Sequence, residues 1–195
     1  MRVLVEHGEH CLTKKLQTRD VILVPDFYPN FDVYKKLVDE VSNCGDILKP
    51  WHGSTHQIAD DKSTWKEKCP TFNEVVKRIQ DYFKMKISST RLNWYPTDED
   101  WKPFHRDRAG LYEETAKTQN FTVAVSFGSE REAVFEEEES KKVISFPCPC
   151  GSAYAFTRDI NTLWKHGIKQ IPPEKRTGKG RISVIVWGWA DQEEV

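Results

Sequence analysis

The sequence predicts an α+β fold in which a helical layer packs on a β-sandwich or barrel. Three observations predict it. Apolar residues recur at helical spacing in two N-terminal stretches. After Ser88 the period changes to two. Short apolar runs separated by turn residues then follow one another almost to the end of the chain. Helices first and strands afterwards indicate segregated layers rather than alternating βα units.

The elements follow in order. Val21-Ile22-Leu23-Val24, stopped by Pro25, reads as a short buried strand. Phe31, Tyr34, Leu37, Val38 and Val41 line one face of a helix, with Asn30 as its expected cap. The polar, Trp-bearing stretch 49–68 has no period and is expected to be a long loop or lid. Phe72, Val75, Val76, Ile79, Tyr82 and Phe83 face the core from a second helix, and Thr71 with Glu74 resembles a capping box. Strands are expected over 91–95, 103–107, 121–127, 133–135, 143–146, 152–156 and 181–187. In 121–127, Phe121, Val123, Val125 and Phe127 alternate with smaller residues. The acidic run Glu136 to Glu139 is expected to be a solvated hairpin tip.

A length of 195 residues suits one domain with a sizeable core. We divide it into a helical and lid extension over 1–88 and a β core over 89–190. The 29 Lys and Arg balance 30 Asp and Glu, which argues against a protein that lives by non-specific phosphate attraction. Five Cys without a secretory segment point to reduced thiols and an intracellular protein, cytoplasmic or nuclear. Cys148-Pro-Cys150 is too closely spaced for a usual zinc pair. No stretch is long and apolar enough to span a membrane, and the expectation is a monomer with no membrane partner.

The motif that carries chemistry is His105-Arg106-Asp107. Residues two apart on an extended segment project to the same side. His166, far along the chain, could close a two-His-one-carboxylate triad, the set that holds Fe(II) and leaves coordination positions open. A lone His-x-Asp is a weak signal in a chain with six His, so it needs support. Arg181 gives some. By alternation Arg181, Ser183, Ile185 and Trp187 share one face of the last strand. A buried Arg there needs an anion, and the distal carboxylate of 2-oxoglutarate would supply it; the alternative is a surface Arg that opens an edge strand.

Five motifs in order then resemble one family: Asn93-Trp94-Tyr95, His105-Arg106-Asp107, Ser126-Phe127-Gly128-Ser129-Glu130-Arg131, Trp164-Lys165-His166-Gly167-Ile168 and Arg181-Ile182-Ser183. Together they look like the AlkB family of Fe(II)- and 2-oxoglutarate-dependent dioxygenases, over residues 90–188. The resemblance implies a double-stranded β-helix (jelly roll) with N-terminal helices and a lid loop. It implies Fe(II), 2-oxoglutarate and O2 as cofactor and co-substrates, and His105, Asp107 and His166 as iron ligands. Arg181 would pair with the distal carboxylate, and Asn93 and Tyr95 would hydrogen-bond the co-substrate. Two positions depart from the family pattern. Ser183 stands where Asn is usual, and Trp187 where a second Arg is usual. Arg and Trp are not interchangeable, so substrate identity does not transfer through this change.

For substrate, the resemblance implies oxidative N-demethylation of alkylated DNA or RNA. Trp51 could stack an extruded base or simply pack. Lys175 and Arg176, in a basic loop, could touch phosphates or remain solvated. Arg106 could be a rim contact or an ordinary salt bridge. A protein or small-molecule hydroxylase on the same scaffold is the alternative, and a catalytically inactive binding domain the third reading.

Overall fold

The structure, a computed structural model, describes residues 1–29, 32–52, 56–61 and 64–194. The strands are β1 (Arg2–Val5), β2 (Leu16–Gln17), β3 (Asp20–Val24), β4 (Lys49–Pro50), β5 (Gln57–Asp60), β6 (Lys86–Tyr95) and β7 (Lys102–His105). They continue as β8 (Phe121–Gly128), β9 (Arg131–Glu137), β10 (Val143–Cys148), β11 (Ala153–Thr157), β12 (Trp164–Ile168), β13 (Arg181–Trp189) and β14 (Gln192–Glu193). The helices are α1 (Val33–Ser42), α2 (Pro70–Phe83), α3 (Glu113–Ala116) and α4 (Arg158–Leu163).

Two sheets face each other. The major sheet runs β1-β3-β11-β8-β13-β6-β5-β4 and the minor sheet β10-β9-β12-β7. All pairings in them are antiparallel except β1 with β3. Helices α1 and α2 cover the outer face of the major sheet. Val33, Leu37 and Val41 of α1, and Phe72, Val75 and Ile79 of α2, pack with Val123, Val125, Phe127, Ile182, Val184 and Val186. The inner face packs against the minor sheet through Tyr95, Ala124, Phe135, Tyr154, Phe156, Trp164 and Ile185. This is the expected jelly roll with N-terminal helices, built in three layers.

That layering explains why β8 is buried on both faces instead of alternating. Odd positions meet the helices, even positions the second sheet. The same split on β13 sends Ile182, Val184 and Val186 to the helices, and Ile185 and Trp187 to the space between the sheets.

Several elements differ from expectation. Asn30 and Phe31 lie outside the described residues, and α1 opens at Val33. Thr71 is not a cap: Cys69 precedes α2 and Pro70 takes its first turn, where a missing N–H costs nothing. The Glu40 carboxylate of α1 instead accepts the Thr71 amide at 3.0 Å, neutralising an orphan donor at that helix end. The described part of 49–68 is not a free lid. It contributes β4 and β5, with β5 pairing β6 from Gln57↔Trp94 to Asp60↔Arg91, and a 3₁₀ turn at Thr64–Lys68. Backbone pairing carried a segment that lacks side-chain periodicity. The acidic tip is also tied down: Glu138 pairs with Arg106 and Lys165, each at 3.0 Å.

Candidate active site

The triad residues come from the minor sheet. His105 ends β7, and His166 lies opposite it on β12 as a direct cross-strand pair, with ring centroids 4.3 Å apart. No strand is expected between 156 and 181, but His166 lies within β12, which aims its ring inward. Asp107 lies two residues past β7, in extended conformation before a 3₁₀ turn at Arg108–Gly110. Its peptide is clamped by Asn161 of α4, which accepts from the Asp107 amide at 2.9 Å and donates to its carbonyl at 3.2 Å.

The three side chains converge. One potential ligand atom from each lies within 4.8 Å of the others. Asp107 Oδ1 stands 3.8 Å from His105 Nε2 and 3.7 Å from His166 Nε2. Asp107 Oδ2 is occupied elsewhere: it accepts from Trp187 Nε1 at 2.9 Å and from Thr122 Oγ1 at 3.4 Å. The carboxylate therefore offers one oxygen to the cluster. Trp187 thus has a definite place: its indole holds the carboxylate, and the Arg91 guanidinium lies 5.2 Å from its ring centroid. His105 Nδ1 lies 2.9 Å from the Pro103 carbonyl, which leaves the lone pair of a neutral ring on Nε2. That Nε2 is buried without a hydrogen-bond partner. Burial holds both rings neutral, His105 well below the ordinary imidazole value and His166 down to about 4. Two neutral imidazoles and one monodentate carboxylate around an unpartnered nitrogen fit Fe(II).

Arg181, at the start of β13, is 1% exposed. Its Nη2 donates to Ser126 Oγ at 2.8 Å and its guanidinium lies 5.2 Å from the Tyr95 ring centroid, but Nε and Nη1 are buried without partners among the described residues. Asn93 Oδ1 and Ser183 Oγ are also buried and unpartnered. All of these groups line one narrow pocket with His105, Asp107, His166 and Tyr95. Buried polar groups are normally satisfied, so this concentration marks a ligand site. A guanidinium with two free donors at its closed end fits a carboxylate.

Lys102 is the residue that sequence reasoning missed. Between the pairs His105↔His166 and Lys102↔Ile168, β7 advances three residues against two on β12. That bulge puts Lys102 on the pocket side together with His105, against simple alternation. Gly167 allows the close approach, since a Cβ there would sit 2.4 Å from the Lys102 carbonyl oxygen. Burial pushes the Lys102 ammonium down to about 8.

The pocket is adjoined by an outer cleft of about 580 Å³. Trp51, His52, Tyr112 and Trp187 line it with Lys49, Arg91, Lys102, Arg106 and Arg108, and it also reaches His105 and Asp107. The Trp51 ring lies 5.2 Å from the His105 ring, centroid to centroid. Lys175 and Arg176 stand apart from this cleft. Their loop is held by Asp98, which accepts from Thr177 and Gly178, and Arg176 faces Glu99 at 3.6 Å.

Comparison with known proteins agrees with this geometry. The chain matches no curated protein. Among solved structures, the structure of OsALKBH1 superposes with a TM-score of 0.60 at 12% identity, covering 86% of this chain and 97% of that one, a likeness of fold. The model of the 2OG-Fe(II) oxygenase superfamily matches residues 25–186, which take in every residue of the inner pocket and stop one short of Trp187 in the outer cleft. The chain belongs to the 2OG-Fe(II) oxygenase superfamily.

Proposed function

We propose that the chain demethylates alkylated bases of DNA or RNA by oxidation. The observation that carries this reading is the outer cleft: aromatic rings and cations meet directly above His105 and Asp107. Flat rings can stack a base withdrawn from its neighbours, and cations can hold its phosphates. Family membership brings Fe(II), 2-oxoglutarate and O2. Bound together, these couple decarboxylation of 2-oxoglutarate to succinate and CO2 with insertion of the second oxygen atom into a C–H bond. An N-methyl group so hydroxylated leaves as formaldehyde.

The chain's own residues would divide the work. His105, Asp107 and His166 hold the metal on one side. Arg181 anchors the distal carboxylate, with Asn93, Tyr95 and Ser183 along the co-substrate. Trp187 keeps Asp107 monodentate. Trp51 stacks the substrate base, Arg106 borders the cleft, and Lys175 and Arg176 contact the polymer beyond it. Close walls of Tyr154, Phe156 and Ile185 exclude water from the reacting end.

A protein or small-molecule hydroxylase is favoured by one observation. Lys49 is paired with Asp60 at 2.6 Å and Arg106 with Glu138, which reduces the free positive charge of the cleft. The deciding experiment incubates the iron-loaded protein with methylated DNA and RNA oligonucleotides and reads their masses. Loss of methyl mass, dependent on 2-oxoglutarate and abolished by His105→Ala, is the expected result. Succinate formation without methyl loss across the panel would move the substrate to protein or metabolite.

A further inference from the structure

Lys102 has no place in the site as the family motifs define it, yet it is 5% exposed and borders both the inner pocket and the outer cleft. Its Nζ lies 4.7 Å from the Trp51 ring centroid, and among the described residues it makes no ion pair. A buried ammonium without a carboxylate is a costly arrangement unless an anion joins it. The inner pocket has a second such group in Arg181, whose two free donors face the same space. Among the described residues, Asp107 is the one acid lining that pocket. Two buried cations and one carboxylate, itself committed to the metal cluster, leave the pocket short of negative charge.

The two cations stand on opposite sheets. Arg181 begins β13 of the major sheet, beside Tyr95 and Ser126. Lys102 begins β7 of the minor sheet, on the strand that carries His105, and lines the inner pocket together with His105, Asp107 and His166. A ligand held by Arg181 through one carboxylate would present its other end to the triad, on the side where Lys102 stands. We infer that Lys102 is a second carboxylate-binding residue of the pocket, holding the carboxylate of 2-oxoglutarate next to its ketone while Arg181 holds the distal one. This rests on membership of the superfamily and is independent of which prime substrate is oxidised.

Ligand dissection tests it by binding rather than turnover. The Mn(II)-loaded protein is titrated calorimetrically with 2-oxoglutarate, with 2-oxopentanoate (which lacks the distal carboxylate) and with 4-oxopentanoate (which lacks the carboxylate beside the ketone). Lys102→Met should weaken 2-oxoglutarate and 2-oxopentanoate about 10- to 100-fold, the worth of one charged hydrogen bond. It should leave 4-oxopentanoate unchanged, whereas Arg181→Met should weaken 2-oxoglutarate and 4-oxopentanoate and leave 2-oxopentanoate unchanged. Lys102→Arg should recover part of the loss. Thermal unfolding of Lys102→Met, expected at or above the wild-type temperature, separates lost binding from lost folding. Equal weakening of all three ligands, or no weakening of any, overturns the assignment. An unchanged 2-oxoglutarate series with weaker binding of inorganic phosphate also overturns it, and moves Lys102 to the prime substrate. Wild-type protein that binds no 2-oxoglutarate would instead mark failure of the co-substrate reading itself.

Discussion

Replacing Arg181 by Met should stabilise the ligand-free protein slightly and blunt its response to 2-oxoglutarate. The guanidinium is 1% exposed, and its Nε and Nη1 have no partner. Exchanging buried charges for apolar residues of similar volume is often neutral or stabilising by about 1–4 kcal/mol. Against that stand the bond to Ser126 Oγ, worth about 1 kcal/mol, and the contact with the Tyr95 ring, worth about 0.5–1 kcal/mol. The balance runs from a loss of about 1 to a gain of about 2.5 kcal/mol and centres on a gain of just under about 1, so at about 2–4 °C per kcal/mol for a chain of this size the melting temperature rises by about 2 °C. Ligand binding inverts the order. With 2-oxoglutarate at about 100 times the wild-type Kd, the wild type gains about 2.7 kcal/mol, or about 5–10 °C, while Arg181→Met, binding about 10- to 100-fold more weakly, gains only about 0.4–1.4 kcal/mol. Scanning calorimetry of both proteins with Mn(II), with and without 2-oxoglutarate, reads all four values. A variant that is less stable without ligand yet keeps the wild-type ligand shift would show that Arg181 is a structural residue, and the pocket would need another anion receptor.

Three further outcomes are expected. His105→Ala, Asp107→Ala and His166→Ala should each bind Mn(II) more weakly than Trp187→Phe does in an EPR titration; the latter removes the indole bond to Asp107 Oδ2 and should lose about 10- to 100-fold. Undiminished Mn(II) affinity in any ligand variant would remove that residue from the metal site. Gly167→Ala should cost about 1–3 kcal/mol in urea unfolding and weaken Mn(II) binding, because its Cβ would push the Lys102 carbonyl and with it β7; a silent substitution would mean that this strand approach is not needed. Acidification should destabilise the metal-free protein between about pH 6.5 and 4. Burial lowers His166 to about 4 and His56 to about 3 in the folded state, so the unfolded chain binds protons first and stability is lost as pH falls. His166 alone accounts for about 3 kcal/mol across that window. Urea midpoints that stay flat from pH 6.5 to 4.5 would contradict neutral buried imidazoles.

Much of this protein is determined by its sequence alone. Apolar spacing places α1 and α2, because a helix with one buried face must repeat near 3.6 residues. Period-two runs place most strands, and side-chain chemistry singles out His105, Asp107 and His166, which the fold brings together, and Arg181, which lines the same pocket. What depends on partners distant in the chain was decided only by tertiary structure. The stretch 49–68 looks formless because β5 is held by backbone pairing to β6, which leaves no mark on side-chain order. Burial of β8 on both faces needs two layers, and a single strand does not reveal how many will cover it. Trp187 reads as a missing charge in the sequence, yet in space its indole holds the carboxylate at 2.9 Å. Lys102 reads as a strand-end lysine until one extra residue in β7, opposite Gly167, turns it inward beside His105. Side-chain identity sets which chemistry is available, but register decides which of those groups meet, and a shift of one residue reverses the face on which a side chain lies.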